Sequence, residues 1–405
     1  MIPLRSEPAW PHQLLDVAGL RAEGWRPTPF RDFVLKVHQR CNLACTYCYV
    51  YEMADQTWRG RPMVMPEHVV EAAAGRIGEH AREHRLDRVN LILHGGEPLL
   101  AGRDRLRSAV RTLRAALPPG CTASVGLQTN GTLVDKAILG DFRELGVSVG
   151  VSLDGPPALH DRHRRYANGR GSFAEVHRAL TLLAEPARRD VYAGLLCTID
   201  PQTDPVACYE TLLSYAPPAI DFLLPHANWE EPPRRGPGAT PYADWLIEIF
   251  DRWYKASPQP VRIRLFESLL HLAVGGSSRS EQVGLSPVAL AVIETDGAIE
   301  QVDSLKSAYE GACATGYSVL TDPLGAALGH PGIVARQIGM RALADACQAC
   351  PVGAACGGGH YAHRYRRADG FRNPSVYCAD LMRLIRHVDT QVRADLAELS
   401  EAYAR

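Results

Sequence analysis

The sequence predicts an α/β fold: a partial barrel of six parallel strands followed by a smaller, cysteine-bearing domain. Three observations predict it. From residue 33 to residue 224 short apolar runs alternate strictly with helical patterns, which marks parallel strand–helix–strand units with right-handed crossovers. Cys41, Cys45 and Cys48 stand in one loop directly after the first apolar run. Cys347, Cys350, Cys356 and Cys378 follow a second apolar pair joined across Asp296-Gly297, a hairpin signal.

Taken in order, residues 1–31 carry Pro and Trp and read as an extension wrapped on the barrel edge. The first strand is expected at 33–38. Pro66 opens a helix to about residue 84, since proline is pre-organised for a helix start. Strands follow at 89–93, 123–128, 147–152, 191–199 and 219–224. Helices lie between them at 103–116, 134–145, 173–184 and 206–215. The barrel domain is placed at 32–230. Residues 231–287 read as a Pro/Gly/Arg-rich linker with bridging helices at 242–254 and 263–274. Residues 288–405 form the second domain, a hairpin and cysteine segment ending in a helix.

The composition sets bounds on function. The chain has 405 residues, a net charge of −1, 46% hydrophobic and 22% charged residues. That balance gives no basic footprint for nucleic acid or a membrane surface. No apolar run reaches spanning length, and the first eight residues lack a signal-peptide pattern, so a cytoplasmic location is expected. Eleven cysteines are many for such a location, where disulfides are rare. Seven fall into two groups with ligand spacing. Cys121, Cys197, Cys208 and Cys313 are scattered, and Cys121 and Cys197 read as small buried hydrophobes.

Three thiolates cannot complete a tetrahedral zinc site alone, but they can hold three irons of a cubane [4Fe–4S] cluster and leave the fourth iron open. A zinc-binding or unrelated triplet is the alternative. The second group, CxxCx5C with a distant cysteine, can close an all-cysteine site around a second [4Fe–4S] cluster, with a zinc ribbon as its alternative. Polar motifs stand at expected strand ends, where ligands of such barrels collect: His94-Gly95-Gly96-Glu97-Pro98, Gln128-Thr129-Asn130-Gly131 and Ser152-Leu153-Asp154-Gly155, followed by Arg164. His80 and His84 match an HxxEH zinc pattern, but the surrounding charge density reads as a solvated helix face.

The CxxxCxxC loop with Tyr47 before its last cysteine, and the Gly-Gly-Glu-Pro that follows, resemble the radical S-adenosylmethionine (SAM) enzymes. The late hairpin and cysteine run resemble the SPASM domain of peptide-modifying members. CNLACTYCYVYE, HGGEPLL, IEQVDSLKSAYEGA, CGGGHYAHRY and NPSVYCADL together resemble the three-residue-cyclophane-forming maturases of FxsB type. The resemblance implies a partial (β/α)6 radical-SAM barrel with a C-terminal SPASM/twitch-like iron–sulfur domain. It implies SAM bound at the open iron and contacted by Tyr47, Gly95, Gly96, Glu97, Gln128, Asn130, Ser152, Asp154, Arg164 and, for the adenine, Leu195. Ser152 and Arg164 are the choices for the carboxylate and ribose.

The resemblance also shows a departure. Gln301 stands where a post-hairpin cysteine is expected, His360 stands near the fourth position of the central motif, and Cys313 is the nearby spare. One auxiliary cluster is therefore expected to be missing and one present, with a His-containing variant cluster as the alternative.

The implied reaction starts from a 5′-deoxyadenosyl radical, which takes a hydrogen from a side-chain Cβ of a ribosomal precursor peptide. The carbon radical adds to an aromatic ring two residues away. The second cluster takes the surplus electron, and Asp303 or His360 takes the proton. The implied partners are the precursor peptide, a separate leader-recognition protein and a flavodoxin- or ferredoxin-type electron donor. Rival readings are formylglycine formation in sulfatase maturation, whose enzymes resemble the seven-cysteine pattern more fully, thioether formation, and a non-catalytic iron–sulfur or zinc sensor.

Overall fold

The computed structural model describes residues 15–403 apart from 235, 237 and 279. One continuous sheet of ten strands organises it, in the order β10-β9-β8-β1-β2-β3-β4-β5-β6-β7. The strands are β1 Asp32–His38, β2 Arg88–Gly95, β3 Thr122–Thr129, β4 Val147–Ser152, β5 Tyr192–Thr198, β6 Ala219–Leu223, β7 Arg262–Ile263, β8 Leu290–Ile293, β9 Ala298–Glu300 and β10 Ala314–Ser318. From β1 to β7 every neighbour is parallel. The six expected barrel strands are thus present in sequence order, with helices such as Glu67–Glu83, Arg103–Ala115 and Phe173–Ala184 packed outside.

These elements follow from local chemistry. Asp135 and Asp204 accept the first free amides of helices Lys136–Glu144 and Pro205–Leu213, satisfying donors that the helix itself leaves open. Val125, Leu127, Val147, Val149 and Val151 fill the interior, and β-branched residues suit a sheet covered by helices.

The structure departs from the expected domain division at residue 288. β8 pairs parallel with β1, Asp32 opposite Leu290 and Leu35 opposite Ile293. β9 turns back antiparallel to β8, which is the expected hairpin. The sheet therefore runs unbroken across the 287/288 boundary. The extension differs too. Residues 1–14 lie outside the described part. From Leu15 onward the chain packs its apolar side chains on Val334, Ile338 and Ala342 of the C-terminal part, and Thr28 exchanges two hydrogen bonds with Gln337. No helix among the described residues is long and apolar enough to cross a membrane.

His80 is not on a solvated face as its charged neighbourhood suggested. It is 2% exposed, and its ring packs against Phe30, Phe33 and His84. Burial pushes its pKa down to about 4. An unfolded His80 takes up a proton below about pH 6.5, so folding excludes that proton and stability falls as the pH drops from about 6.5 towards 4. His80→Phe keeps the ring and removes the titration. Denaturant midpoints from pH 7 to pH 4.5 are expected to fall less steeply for this variant than for the parent chain.

Candidate functional site

The C-terminal ends of β1 to β6 converge on a cavity of about 190 Å³. Cys41, Cys45 and Cys48 all line it. The loop that carries them leaves β1 at an irregularity between Lys36 and His38. It is pinned by Ala44 N–H to the Arg165 carbonyl (2.7 Å) and Thr46 N–H to the His163 carbonyl (3.1 Å). The Gly95-Gly96 turn closes over it. A Cβ on Gly95 would lie 2.1 Å from the His38 carbonyl oxygen, and one on Gly96 would lie 2.0 Å from the Tyr51 hydroxyl. Only glycine permits that approach of two backbones.

Most of the predicted cofactor contacts come together here. Tyr47, Gly95, Gly96, Gln128, Asn130, Ser152 and Arg164 line the cavity with the three sulfurs. Asn130 Nδ2 donates to Cys41 Sγ (3.6 Å) and to Asn42 Oδ1 (2.8 Å). Gln128 Nε2 donates to Ser152 Oγ (3.1 Å). Arg164 donates from Nη1 to the Tyr47 hydroxyl (2.8 Å), while its buried Nε has no partner. A guanidinium with a spare donor in a dry cavity is suited to a carboxylate.

Three predicted contacts do not line the cavity. Glu97 turns inward, accepting from Thr129 Oγ1 (2.8 Å), Asn130 N (2.8 Å) and Leu99 N (3.0 Å), so its carboxylate ties the ends of β2 and β3 together. Burial, opposed by these donors, raises its pKa. Asp154 accepts from the Tyr47 hydroxyl and from Thr198 N (3.0 Å) and positions Tyr47 instead of facing the cavity. Leu195 is packed in the core, and Leu196 lines the cavity in its place. Side chains alternate along a strand, so a one-residue misassignment reverses the face. Thr198 also lines the cavity and was missed; it is the last residue of β5, and position at a strand end was the signal available.

The second cysteine group is assembled as expected. Cys347, Cys350, Cys356 and Cys378 line one small cavity of about 90 Å³. Cys378 begins the long helix Cys378–Tyr403. Gly357, Gly358 and Gly359 all have positive φ, and their three carbonyls accept from Arg364, at 2.5, 3.0 and 2.7 Å. His360 does not belong to this group, nor does Cys313. His360 faces another cavity, and Cys313 is fully buried with its sulfur 3.4 Å from the Val302 carbonyl oxygen. Gln301 is also buried and donates to the Ala312 carbonyl (3.2 Å).

A larger cavity of about 820 Å³ adjoins the first. The two share Tyr49, His94, Leu223, Leu224 and His226 as walls. Asp303 lines the larger one, 6% exposed, with Oδ2 2.5 Å from Lys36 Nζ and the buried Oδ1 without a partner. Lys36 also donates to His94 Nδ1 (3.3 Å), and burial pushes the His94 pKa down to about 4, so that ring is a neutral acceptor. His226, His360 and His363 share the wall. Of these, sequence analysis singled out only His360.

The donor sets fit the groups inferred for them: three sulfurs on a cavity of about 190 Å³ with room for SAM, and four sulfurs around one small cavity for the second cluster. Comparison with known proteins agrees. Residues 35–200 match the family described as the radical SAM superfamily. A serine-type anaerobic sulfatase-maturating enzyme of Klebsiella aerogenes is 28% identical over 369 residues, covering 86% of each chain. A cysteine-type enzyme of Clostridium perfringens (strain 13 / Type A) is 28% identical over 272 residues, 65% of this chain and 71% of the relative. In fold, the chain resembles native anSMEcpe with bound AdoMet, with a TM-score of 0.77 at 22% identity over 90% of this chain and 98% of that one. It also resembles Streptococcus suis SuiB bound to precursor peptide SuiA, with a TM-score of 0.59 at 13% identity over 89% and 78%. Cys41, Cys45 and Cys48 would hold a SAM-binding [4Fe–4S] cluster, and Cys347, Cys350, Cys356 and Cys378 a second one.

Two outcomes are expected of substitutions here. Glu97→Ala leaves buried amides of two strand ends without an acceptor, at about 1–3 kcal/mol per group, and should lower the denaturant midpoint markedly. Arg164→Gln should retain iron while weakening SAM binding by at least about tenfold, or about 1.4 kcal/mol, in equilibrium titration.

Proposed function

We propose that this chain, a radical SAM enzyme, modifies a peptide by forming a carbon–carbon crosslink between an aromatic ring and a side-chain Cβ two residues away. The observation that carries the reading is a pair of adjoining cavities. The cofactor cavity shares Tyr49, His94, Leu223, Leu224 and His226 with a space of about 820 Å³, which Asp303 also lines. That volume takes several side chains of an extended peptide. The relatives are named as sulfatase-maturating enzymes, and one fold neighbour was solved with a precursor peptide, which supports a peptide or protein substrate.

When bound, the SAM-binding cluster and SAM supply one-electron removal of a hydrogen atom. The chain's own residues do the rest. Tyr47, Gln128, Asn130, Ser152, Thr198 and Arg164 hold and orient SAM. Tyr49, Leu223 and Leu224, which line both cavities, exclude water. Asp303 Oδ1 accepts the proton that the ring loses on rearomatisation, and Lys36, bonded to Oδ2, keeps the carboxylate in place. Over the whole reaction the peptide loses two hydrogens and gains one carbon–carbon bond. One hydrogen leaves as an atom, which SAM would supply the means to accept; the other leaves as a proton, taken by Asp303, and an electron, for which a cluster held by Cys347, Cys350, Cys356 and Cys378 would supply the acceptor. Formylglycine formation is the second reading, supported by 28% identity across 86% of a sulfatase-maturating enzyme. The incomplete seven-cysteine pattern favours the first. A separate leader-recognition protein, a flavodoxin- or ferredoxin-type donor and a cytoplasmic location belong to the same proposal.

The test is mass spectrometry of the peptide encoded beside this gene after anaerobic reaction with SAM and reductant. The expected product is lighter by two hydrogens per ring, resists fragmentation between the joined residues, and appears with 5′-deoxyadenosine. A serine or cysteine converted to an aldehyde sinks the crosslink reading in favour of the second. Asp303→Asn is expected to keep iron content and deoxyadenosine formation while lowering crosslinked product by about a hundredfold or more, the usual scale for loss of a proton acceptor.

A further inference from the structure

His226, His360 and His363 meet on the wall of the larger cavity. One ring nitrogen from each lies within 4.8 Å of the other two. The ring centroids are 5.5, 5.8 and 5.0 Å apart. His226 comes from the loop after β6, while His360 caps the single 3-10 turn Tyr361–Arg364 and His363 lies within it. Nothing in the crosslinking chemistry uses the three together.

Their ring nitrogens are left without partners. His226 Nδ1, His360 Nδ1 and both nitrogens of His363 are buried and make no hydrogen bond, and His363 is only 2% exposed. A buried imidazole nitrogen without a partner is destabilising, and buried polar groups in folded proteins almost always find one. Four such atoms in one cluster point to a ligand that takes all three rings at once.

The rings are also held for it. The Tyr377 hydroxyl donates to the carbonyl of Pro225 (2.8 Å), fixing the backbone beside His226, and the Tyr377 ring packs on His363 at 4.9 Å. Tyr49 packs on His226 at 4.5 Å. Glu281, bonded to Arg336 at 2.8 Å, places its carboxylate 4.0 Å from His360 Nε2.

We propose that His226, His360 and His363 form a site for one divalent transition-metal ion, with zinc as the first choice, open on its fourth side to the substrate cavity. Imidazole donors suit zinc and its first-row neighbours, and three protein ligands with one open position is the usual form of a zinc site that takes an exogenous oxygen. Bonds of about 2.1 Å in a tetrahedral site require nitrogens roughly 3.4 Å apart, so metal binding would draw the three rings together from within 4.8 Å. No cysteine lines this cavity, so the site is not an iron–sulfur cluster. The nearby trio Glu294, Glu300 and Asp303 differs: Lys36, Lys306 and Arg61 already neutralise it, and it needs no ion.

The open position would take a carbonyl or carboxylate oxygen of the substrate. That clause rests on the peptide reading above; the metal site does not. The test therefore omits the peptide. Holoenzyme with both clusters is incubated anaerobically with zinc, desalted over chelating resin, and assayed for zinc and iron. The expected result is about one zinc per chain beside unchanged iron, lost in His226→Ala/His363→Ala with the iron retained. Substoichiometric zinc in fully iron-loaded parent enzyme overturns the proposal, as does equal retention by the double variant. If the double variant loses its iron, cobalt loaded into the parent holoenzyme decides. Nitrogen/oxygen ligand-field bands alone support the site, and thiolate-to-cobalt charge-transfer bands assign the ion to cysteine and overturn it.

Discussion

Everything in this molecule depends on β1 being paired on both sides. It bonds in parallel to β2 and to β8, so Phe33 and Leu35 are fully buried, and Lys36 with them. A strand held by two ladders can deliver a loop with little freedom. The loop it delivers carries Cys41, Cys45 and Cys48. The strand that flanks it on the other side, β8, leads into the segment bearing Asp303. The cysteine loop and Asp303 are thus fixed by one strand and its two neighbours.

Lys36 shows how charge is used inside this arrangement. A lysine buried in a sheet is costly unless paired, and here it bonds Asp303 and His94. A second buried lysine, Lys306, lies between Glu294, Glu300 and Asp55, and Arg61 completes that set. Asp55 and Arg61 come from the stretch after the cluster loop, Glu294 and Glu300 from the β8–β9 hairpin. Opposite charges that must stay together in a dry interior join the barrel to the C-terminal part. The larger cavity lies alongside this seam, between the two.

Much of the candidate site could be read from residue spacing, because spacing and strand ends carry the chemistry. The seven cysteines, Gly95-Gly96, Gln128, Ser152 and Arg164 all stand where such reading placed them. The errors have local causes. Leu195 and Leu196 differ only in which side of a strand they face, and two apolar neighbours give no pattern from which to choose. Glu97 and Asp154 are acids in cofactor motifs, yet each spends its oxygens on backbone amides and hydroxyls of neighbouring strand ends, which depends on partners distant in the chain. His80 looked solvated because the residues around it are charged, while its own side of the helix meets Phe30 and Phe33.

The sequence by itself determined the alternation of strands and helices, the two cysteine sets and the polar motifs at the barrel mouth. These are local, since periodicity and ligand spacing act within a few residues of the chain. Tertiary structure alone decided that the late hairpin joins the barrel sheet at β1, that Lys36 and Asp303 meet across 267 residues, and that His226 comes to lie beside His360 and His363. Such contacts depend on how strands pair and on which buried charges and ring nitrogens must find partners, and no short window of sequence contains both members of these pairs.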